Sequence, residues 1–398
     1  MKPHPRPQGT PTMARSPVFK VLLAALIASL AAGLLAETPA DYANLPGHKA
    51  MAAVPGYTAS IYGIGHSRPT DIDAANWALQ QCQRKLAQQT GLTLAPGQTC
   101  EVLNLNEERI TTGADIRAQV PDSPHPLYLW RYTSDTATVY LAGSIHILKP
   151  TLYPLAPQLE KAFEQSALLV VEVDTEKYPL QEMQRKMMDV ALLENGQTLK
   201  QVLPKGLLNR LNESLASYGI NSQQVAQFKP AMVMNQLVVL RLQALGYLPE
   251  YGLEQHFRAK LDDRQVLELE SFDGQLDLLF NQPVEVQIQL LADTLDLEHE
   301  IEPILAEMLA AWLAGNDDDL LMLIQQQSGN SELSQAFNKR LLDDRNVGMA
   351  KTIGRYLDTT GTYFVLVGAA HFIGKSGIVS LLEQQGITGQ RVMSNDKI

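Results

Sequence analysis

Two apolar runs carry the clearest pattern in the chain: TVYLAGSIHIL at 138–148 and TYFVLVGAAHFIG at 362–374. Each begins with four to six apolar, largely β-branched residues, the pattern of a buried strand. Each then places a histidine three residues after a glycine, Gly143 with His146 and Gly368 with His371. In α/β folds, strand ends are where distant segments converge on a crevice. Two imidazoles in the same local setting, about 225 positions apart, therefore read as two halves of one site. A lone Gly-x-x-His is weak evidence, and Gly63 with His66 repeats the spacing without so apolar a run before it. His66 is accordingly read as a loop residue.

The remaining pattern predicts an α/β (α+β) fold: a mixed β-sheet flanked by helices with a helical insertion, plus a small N-terminal α+β module. That module covers 37–122. In it, residues 57–62 alternate like a strand, 72–89 have helical spacing, and 99–105 (TCEVLNL) read as a second strand. Pro121, Pro124 and Pro126 mark a linker, and the main domain takes up 127–398. Its strands are 127–132, 137–147, 167–173 (ALLVVEV), 266–270 (VLELE), 362–367 and a last one near Val392. Helices are expected at 153–166, from Leu180 to about Leu248, from Asp273 to about Gln327, from Ser331 to Leu357 and at 378–384.

Composition changes this picture at the N-terminus. A basic lead ending at Lys20 precedes an uncharged apolar run from Val21 to Ala36. Its sixteen residues are short of the roughly 20 a spanning helix needs, and its alanines offer cleavage points. Residues 1–36 read as a signal peptide, the alternative being an uncleaved anchor, so the body is expected to be exported, periplasmic or secreted. The formal charge of -11 falls to about -15 without this segment. An acidic body argues against nucleic acid or an anionic membrane as partner. The two cysteines, Cys82 and Cys100, lie 18 apart in the N-terminal module. In an oxidising compartment they read as a disulfide, the alternative being two buried thiols.

Candidate chemistry centres on the two strand-end histidines. Neutral imidazoles with a carboxylate suit zinc, manganese or cobalt ions, and a metal-bound water becomes a nucleophile near neutral pH. Glu172 ends the strand after the first histidine run, and a carboxylate on an apolar strand is costly unless it is paired or metal-bound. Glu270 has the same logic on VLELE, ahead of Glu268 on that strand. Glu254 and His256 are weaker, because a helix start favours an acidic residue anyway. Arg345 would either stabilise a developing oxyanion or form a surface ion pair. Ser144 lies too close to His146 along the chain to suggest a triad, and Gly374-Lys375-Ser376 lacks the rest of a phosphate loop.

Residues 127 to about 390 resemble the TraB/GumN family of the Tiki-like superfamily. The resemblance rests on LW near the start, LAGSIHIL, VVEVD, YGLEQHF, LELES followed by Gln275, DDRN and FVLVGAAHFIG, in that order. It departs at Glu254, where many relatives have aspartate, and it leaves out the cysteine-pair module. It implies a fold related to erythromycin-esterase-like and ChaN-like proteins, and a metal-dependent protease activity of the kind attributed to animal Tiki members. It implies His146, His371 and Glu172 as the metal-site residues, with Gly143 and Gly368 as the motif glycines. The expected function is an exported metal-dependent hydrolase acting on peptides or secreted proteins with Mn, Co or Zn. Two alternatives stand beside it: a binding protein for a peptide or haem-like ligand, and an esterase-type hydrolase with a histidine base and no metal.

Overall fold

Every strand of the main domain is placed by one six-stranded sheet, ordered β10-β5-β6-β9-β7-β8. A computed structural model describes residues 38–398 apart from 328 and 330. The apolar leader at 21–36 lies outside the described residues. Pro39–Ile398 pack as one compact unit.

A first sheet, ordered β2-β1-β3-β4, comes from the N-terminal part of the chain. Its strands are β1 (His48–Ala53), β2 (Tyr62–Arg68), β3 (Glu101–Leu105) and β4 (Glu108–Arg109). Helix α1 (Asp71–Ala87) lies against it, and the short α2 (Gly113–Arg117) follows. Cys82 on α1 is bonded to Cys100, just before β3. Two expectations are corrected here. Residues 57–60 form a turn, and the strand starts at Tyr62. His66 lies within that strand rather than in a loop. Glycines ordinarily weaken a strand pattern, but α1 crosses β2 so closely that a Cβ at Gly63 would sit 2.0 Å from the Ala78 carbonyl oxygen. The partner strand β1, HKAMAA, escaped the pattern because it is alanine-rich and buried on both faces, without alternation.

The second sheet contains β5 (Pro126–Thr133), β6 (Ala137–Ser144), β7 (Leu168–Val171), β8 (Gln265–Glu268), β9 (Gly361–Gly368) and β10 (Gln390–Met393). Strands β6, β9, β7 and β8 run parallel, while β5 and β10 are antiparallel additions at one edge. The central strands bury both faces, which is why they read as continuous apolar runs. Between β6 and β7 lies α3 (Pro157–Glu164), which starts later than the sequence pattern because Pro157 occupies its first turn.

Between β7 and β8 the chain inserts α4 (Leu180–Ala191), α5 (Leu199–Val202), α6 (Lys205–Ser217), α7 (Pro230–Ala244) and α8 (Leu253–Arg258). Between β8 and β9 it adds α9 (Phe272–Phe280), α10 (Val284–Asp296), α11 (Ile301–Ala314), α12 (Asp317–Gln327), α13 (Glu332–Leu341) and α14 (Asp343–Tyr356). Helix α15 (Ile378–Gln384) precedes β10. One apolar core runs from the α1 face of the first sheet through both faces of the second.

Candidate active site

The four parallel strands end at the same edge, and the register sets their tips side by side. Ser144 pairs with Gly368, while Val171 pairs with Leu366 on one side and Glu268 on the other. The residues just beyond each tip are therefore neighbours: His146 after β6, His371 after β9, Glu172 after β7 and Glu270 after β8. This is the carboxyl-end crevice that parallel sheets offer to ligands. Helices α8 and α14 close over it with Glu254 and Arg345.

Glu172 is the hub. Its Oε1 accepts the Gly368 backbone N–H at 2.8 Å, and its Oε2 accepts from Arg345 Nη2 at 2.6 Å and Gln275 Nε2 at 3.2 Å. Glycine at 368 allows this approach, because a Cβ there would lie 3.3 Å from both Glu172 Oε1 and His146 Nε2. Both histidines present Nε2 at 4.0 Å from a Glu172 oxygen. Burial works against a charged Glu172, but His371, His146 and Arg345 together with the Gly368 N–H outweigh it and hold the pKa at about 2.

The two imidazoles are anchored through their other nitrogens, by different partners. His146 Nδ1 lies 2.8 Å from Glu254 Oε1, which also accepts from Ser144 Oγ at 2.5 Å. His371 Nδ1 lies 2.6 Å from Asn346 Oδ1, and Asn346 Nδ2 donates to the Ser376 carbonyl at 2.9 Å. Desolvation opposes charge on both rings. At His146 the Glu254 carboxylate overrides it, with help from Glu172, and the pKa rises to about 9. The His146 side chain is 61% exposed, so water tempers that effect. At His371 burial prevails and Arg345 adds to it, against the pull of Glu172, leaving the pKa at about 4. With His371 neutral at physiological pH, the lasting counter-charges of Glu172 are Arg345 and His146.

Arg345 is clamped by Glu270, whose two oxygens take its Nε at 3.0 Å each, with Oε2 also 2.6 Å from Nη2. Its Nη1 donates to the Leu341 carbonyl at 2.9 Å and reaches His371 Nε2 at 3.2 Å. Only 13% of the side chain is exposed, so this is a site residue and not a surface pair.

The structure thus brings together His146, Glu172, Glu254, Glu270, Arg345 and His371. It leaves out Glu268, which pairs with Lys177, and His256, which lies 2.7 Å from Glu160. Asn346, Gln275 and the Ser144 contact with Glu254 had no assigned part in the sequence reading. Asn346 stands directly after Arg345 in DDRN, and Gln275 falls on the first turns of a helix that starts two residues beyond Glu270; both belong to motifs of the family resemblance, which gave neither of them a role. Trp312 was missed as well: from α11 its Nε1 donates to the Gly143 carbonyl at 2.9 Å, fixing the end of β6 from behind.

The donor set fits a divalent metal ion in kind: two imidazoles, each held through Nδ1 with Nε2 turned toward a shared carboxylate, the usual arrangement behind metal-bound histidines. Among the described residues, no three His, Cys, Asp or Glu side chains are already gathered as a metal cage. The Arg345 guanidinium spans Glu172 and His371, so those donors would have to exchange it for an ion.

The sequence profile of the TraB/PrgY/gumN family matches residues 128–391. The chain belongs to this family. Among curated proteins, this family member is similar to Metalloprotease TIKI1 of Danio rerio, 23% identical over 341 residues, covering 73% of this chain and 68% of that one. It is likewise similar to Metalloprotease TIKI1 of Xenopus tropicalis, 22% identical over 327 residues, covering 68% and 63%. No solved structure matches the chain. No helix among the described residues is long and apolar enough to cross a membrane.

Proposed function

We propose that this TraB/PrgY/gumN protein is an exported hydrolase of peptide bonds that uses a divalent metal ion held by His146, His371 and Glu172. One observation carries the reading: both imidazoles are fixed through Nδ1, by Glu254 and Asn346, with Nε2 toward Glu172. The similarity to proteins named metalloproteases supports the reaction class. When bound, the ion would lower the pKa of a water and polarise the scissile carbonyl. The chain's own residues do the rest. The Gly368 N–H helps keep Glu172 ionised, and with Gln275 it orients the carboxylate. Glu254 holds the His146 ring in place. Glu270 steers the Arg345 guanidinium to the rim of the site, where it can neutralise charge developing on a carbonyl oxygen.

A second reading is a metal-free hydrolase with a histidine base. The contact between Arg345 Nη1 and His371 Nε2 at 3.2 Å favours it, since the guanidinium already supplies positive charge there. Metal stoichiometry and peptide-library cleavage decide between them. The samples are wild type and the His146→Ala/His371→Ala variant, purified without chelator, with Mn, Co or Zn added back. About one ion per chain, lost with cleavage in the variant, is the expected result. Cleavage that survives chelation would establish the metal-free reading. Neither ion nor cleavage under any add-back would replace both with a binding protein for a peptide or haem-like ligand.

A further inference from the structure

A recess of about 300 Å³ lies apart from the crevice, and none of the residues that converge on Glu172 lines it. Its wall is mainly apolar and draws on distant segments: Val120 after α2, Leu155 and Ala156 before α3, and Leu313 on α11. Val120, Ala156 and Leu313 are only partly buried, so apolar surface is open to an occupant. Two further wall residues hold the end of β6: Trp312 through the Gly143 carbonyl, and Tyr128, whose Cδ1 would lie 2.9 Å from a Cβ at Gly143. An apolar recess of this volume with a few polar groups on its wall is the common form of a small-ligand site.

The polar groups of the wall indicate the ligand. Arg117 donates from Nε to the Thr151 carbonyl at 3.5 Å, and from Nη2 to the Leu152 and Pro154 carbonyls at 2.5 and 2.8 Å. These acceptors are all neutral. Arg241, Arg258, Arg264 and Arg391 each pair with a carboxylate, whereas no carboxylate among the described residues pairs with Arg117. A half-buried guanidinium without a counter-ion calls for an anion. Gln158 is 6% exposed, and its Nε2 donates to the Ser394 carbonyl at 2.7 Å and the Asp396 carbonyl at 3.1 Å, which fixes the amide. Its Oε1 is left without a partner among the described residues. A buried acceptor in that state calls for a donor.

We propose that this recess binds an apolar amino-acid residue that carries a free carboxylate and an acylated nitrogen. The carboxylate is held by Arg117, the amide N–H by Gln158 Oε1, and the side chain by the apolar wall. One guanidinium suits a singly charged, planar carboxylate, whereas a phosphate would want further cations. The same chemistry is presented by the C-terminal residue of a peptide and by a free N-acyl amino acid. The proposal goes beyond the peptidase reading and does not depend on it, because the recess shares no residue with the crevice.

The test is isothermal titration calorimetry with two probes, N-acetylphenylalanine and acetyl-Gly-Gly-Phe, both with free carboxylates. Their C-terminal amides and the forms N-methylated at phenylalanine are the controls. Wild type and the His146→Ala/His371→Ala variant should bind alike, which separates the recess from the crevice. Binding of N-acetylphenylalanine supports a small acyl amino acid as the ligand, and binding of the tripeptide alone supports a peptide terminus. Amidation and N-methylation should each weaken binding, amidation by about tenfold or more. Arg117→Gln, which removes the cation, and Ala156→Trp, which fills the recess, should each weaken it by about tenfold or more at unchanged Tm. Arg117 also ties α2 to the 151–154 carbonyls, so if its variant loses Tm, Ala156→Trp decides. Val120→Trp fills the same recess from the segment after α2 and decides if Ala156→Trp loses Tm as well. Four results would overturn the site: no binding of either probe at millimolar concentration, equal affinity for acid and amide, indifference to N-methylation, or a folded cavity-filling variant that binds like wild type. Loss of binding in the double histidine variant would also overturn it, by moving the ligand to the crevice.

Discussion

Replacing Asn346 with leucine probes the His371 tautomer, which the structure determines from two directions. Asn346 Nδ2 donates to the Ser376 carbonyl, so its Oδ1 is the atom facing His371 Nδ1 and the amide cannot be reversed. Nδ1 must therefore carry the ring proton. On the other side, Arg345 Nη1 can only donate, so Nε2 must accept. Asn346 and His371 are both nearly excluded from solvent. Leucine would leave the Nδ1–H and the Ser376 carbonyl unpaired. At about 2 kcal/mol for each buried group, the loss is about 4 kcal/mol. The ring cannot relieve it by moving its proton to Nε2, because that would set donor against donor at Arg345. Asn346→Asp keeps the acceptor at His371 but sets a buried carboxylate oxygen against the Ser376 carbonyl, so it should destabilise as well. Urea denaturation measures the stabilities. The ¹⁵N shifts of histidine-labelled protein, with His371 assigned through His371→Gln, report the tautomer. Wild type should show a protonated Nδ1 and an unprotonated Nε2, and both variants should be less stable than wild type. A wild-type spectrum with the proton on Nε2, or a leucine variant as stable as wild type, would refute the double lock.

Gly252 caps the helix that carries Glu254, and a Cβ there would lie 2.1 Å from the His146 carbonyl oxygen. Gly252→Ala should cost about 1–3 kcal/mol through overpacking and reduce turnover by parting Glu254 from His146; a folded variant with full turnover would show that this contact does not matter. Lys149 is buried at 1% exposure, donates to the Thr111 carbonyl at 2.8 Å, and is held by desolvation at a pKa of about 8, below its ordinary 10.5, against the pull of Glu101, Glu302 and Asp115. Between those values the unfolded chain binds more protons, so stability should rise with pH, by about 3 kcal/mol more in wild type than in Lys149→Met. Equal slopes in urea titrations at pH 7.5 and 10.5 would contradict that.

The parts legible in the sequence are those fixed by short-range pattern. Strands buried on both faces announce themselves as apolar runs, and the polar residues at their ends, His146, Glu172, Glu270 and His371, stand out against that background. Parallel strands must all end at one edge of the sheet, so the pattern also told that these four could meet. Residues on helices were harder. A helix start favours an acidic residue in any setting, so Glu254 could not be distinguished from ordinary capping. Asn346 and Gln275 are polar residues near helix beginnings, a commonplace there, and their part depends on how α14 and α9 are docked 173 and 103 residues from Glu172. Strand β1 failed for the opposite reason, since a run of alanines and methionine is compatible with helix, strand or loop until a neighbour is known.

The same asymmetry bears on how the site is divided. The strand-end groups come from the sheet, where register leaves little freedom, and they supply the two imidazoles and the carboxylate. Apart from the Gly368 N–H of β9, the groups that orient or charge them come from inserted helices: Glu254 from α8, Gln275 from α9, Trp312 from α11, and Arg345 with Asn346 from α14. Substitutions within the insertions can therefore alter protonation, ring orientation and access while the strand-end triad stays in place.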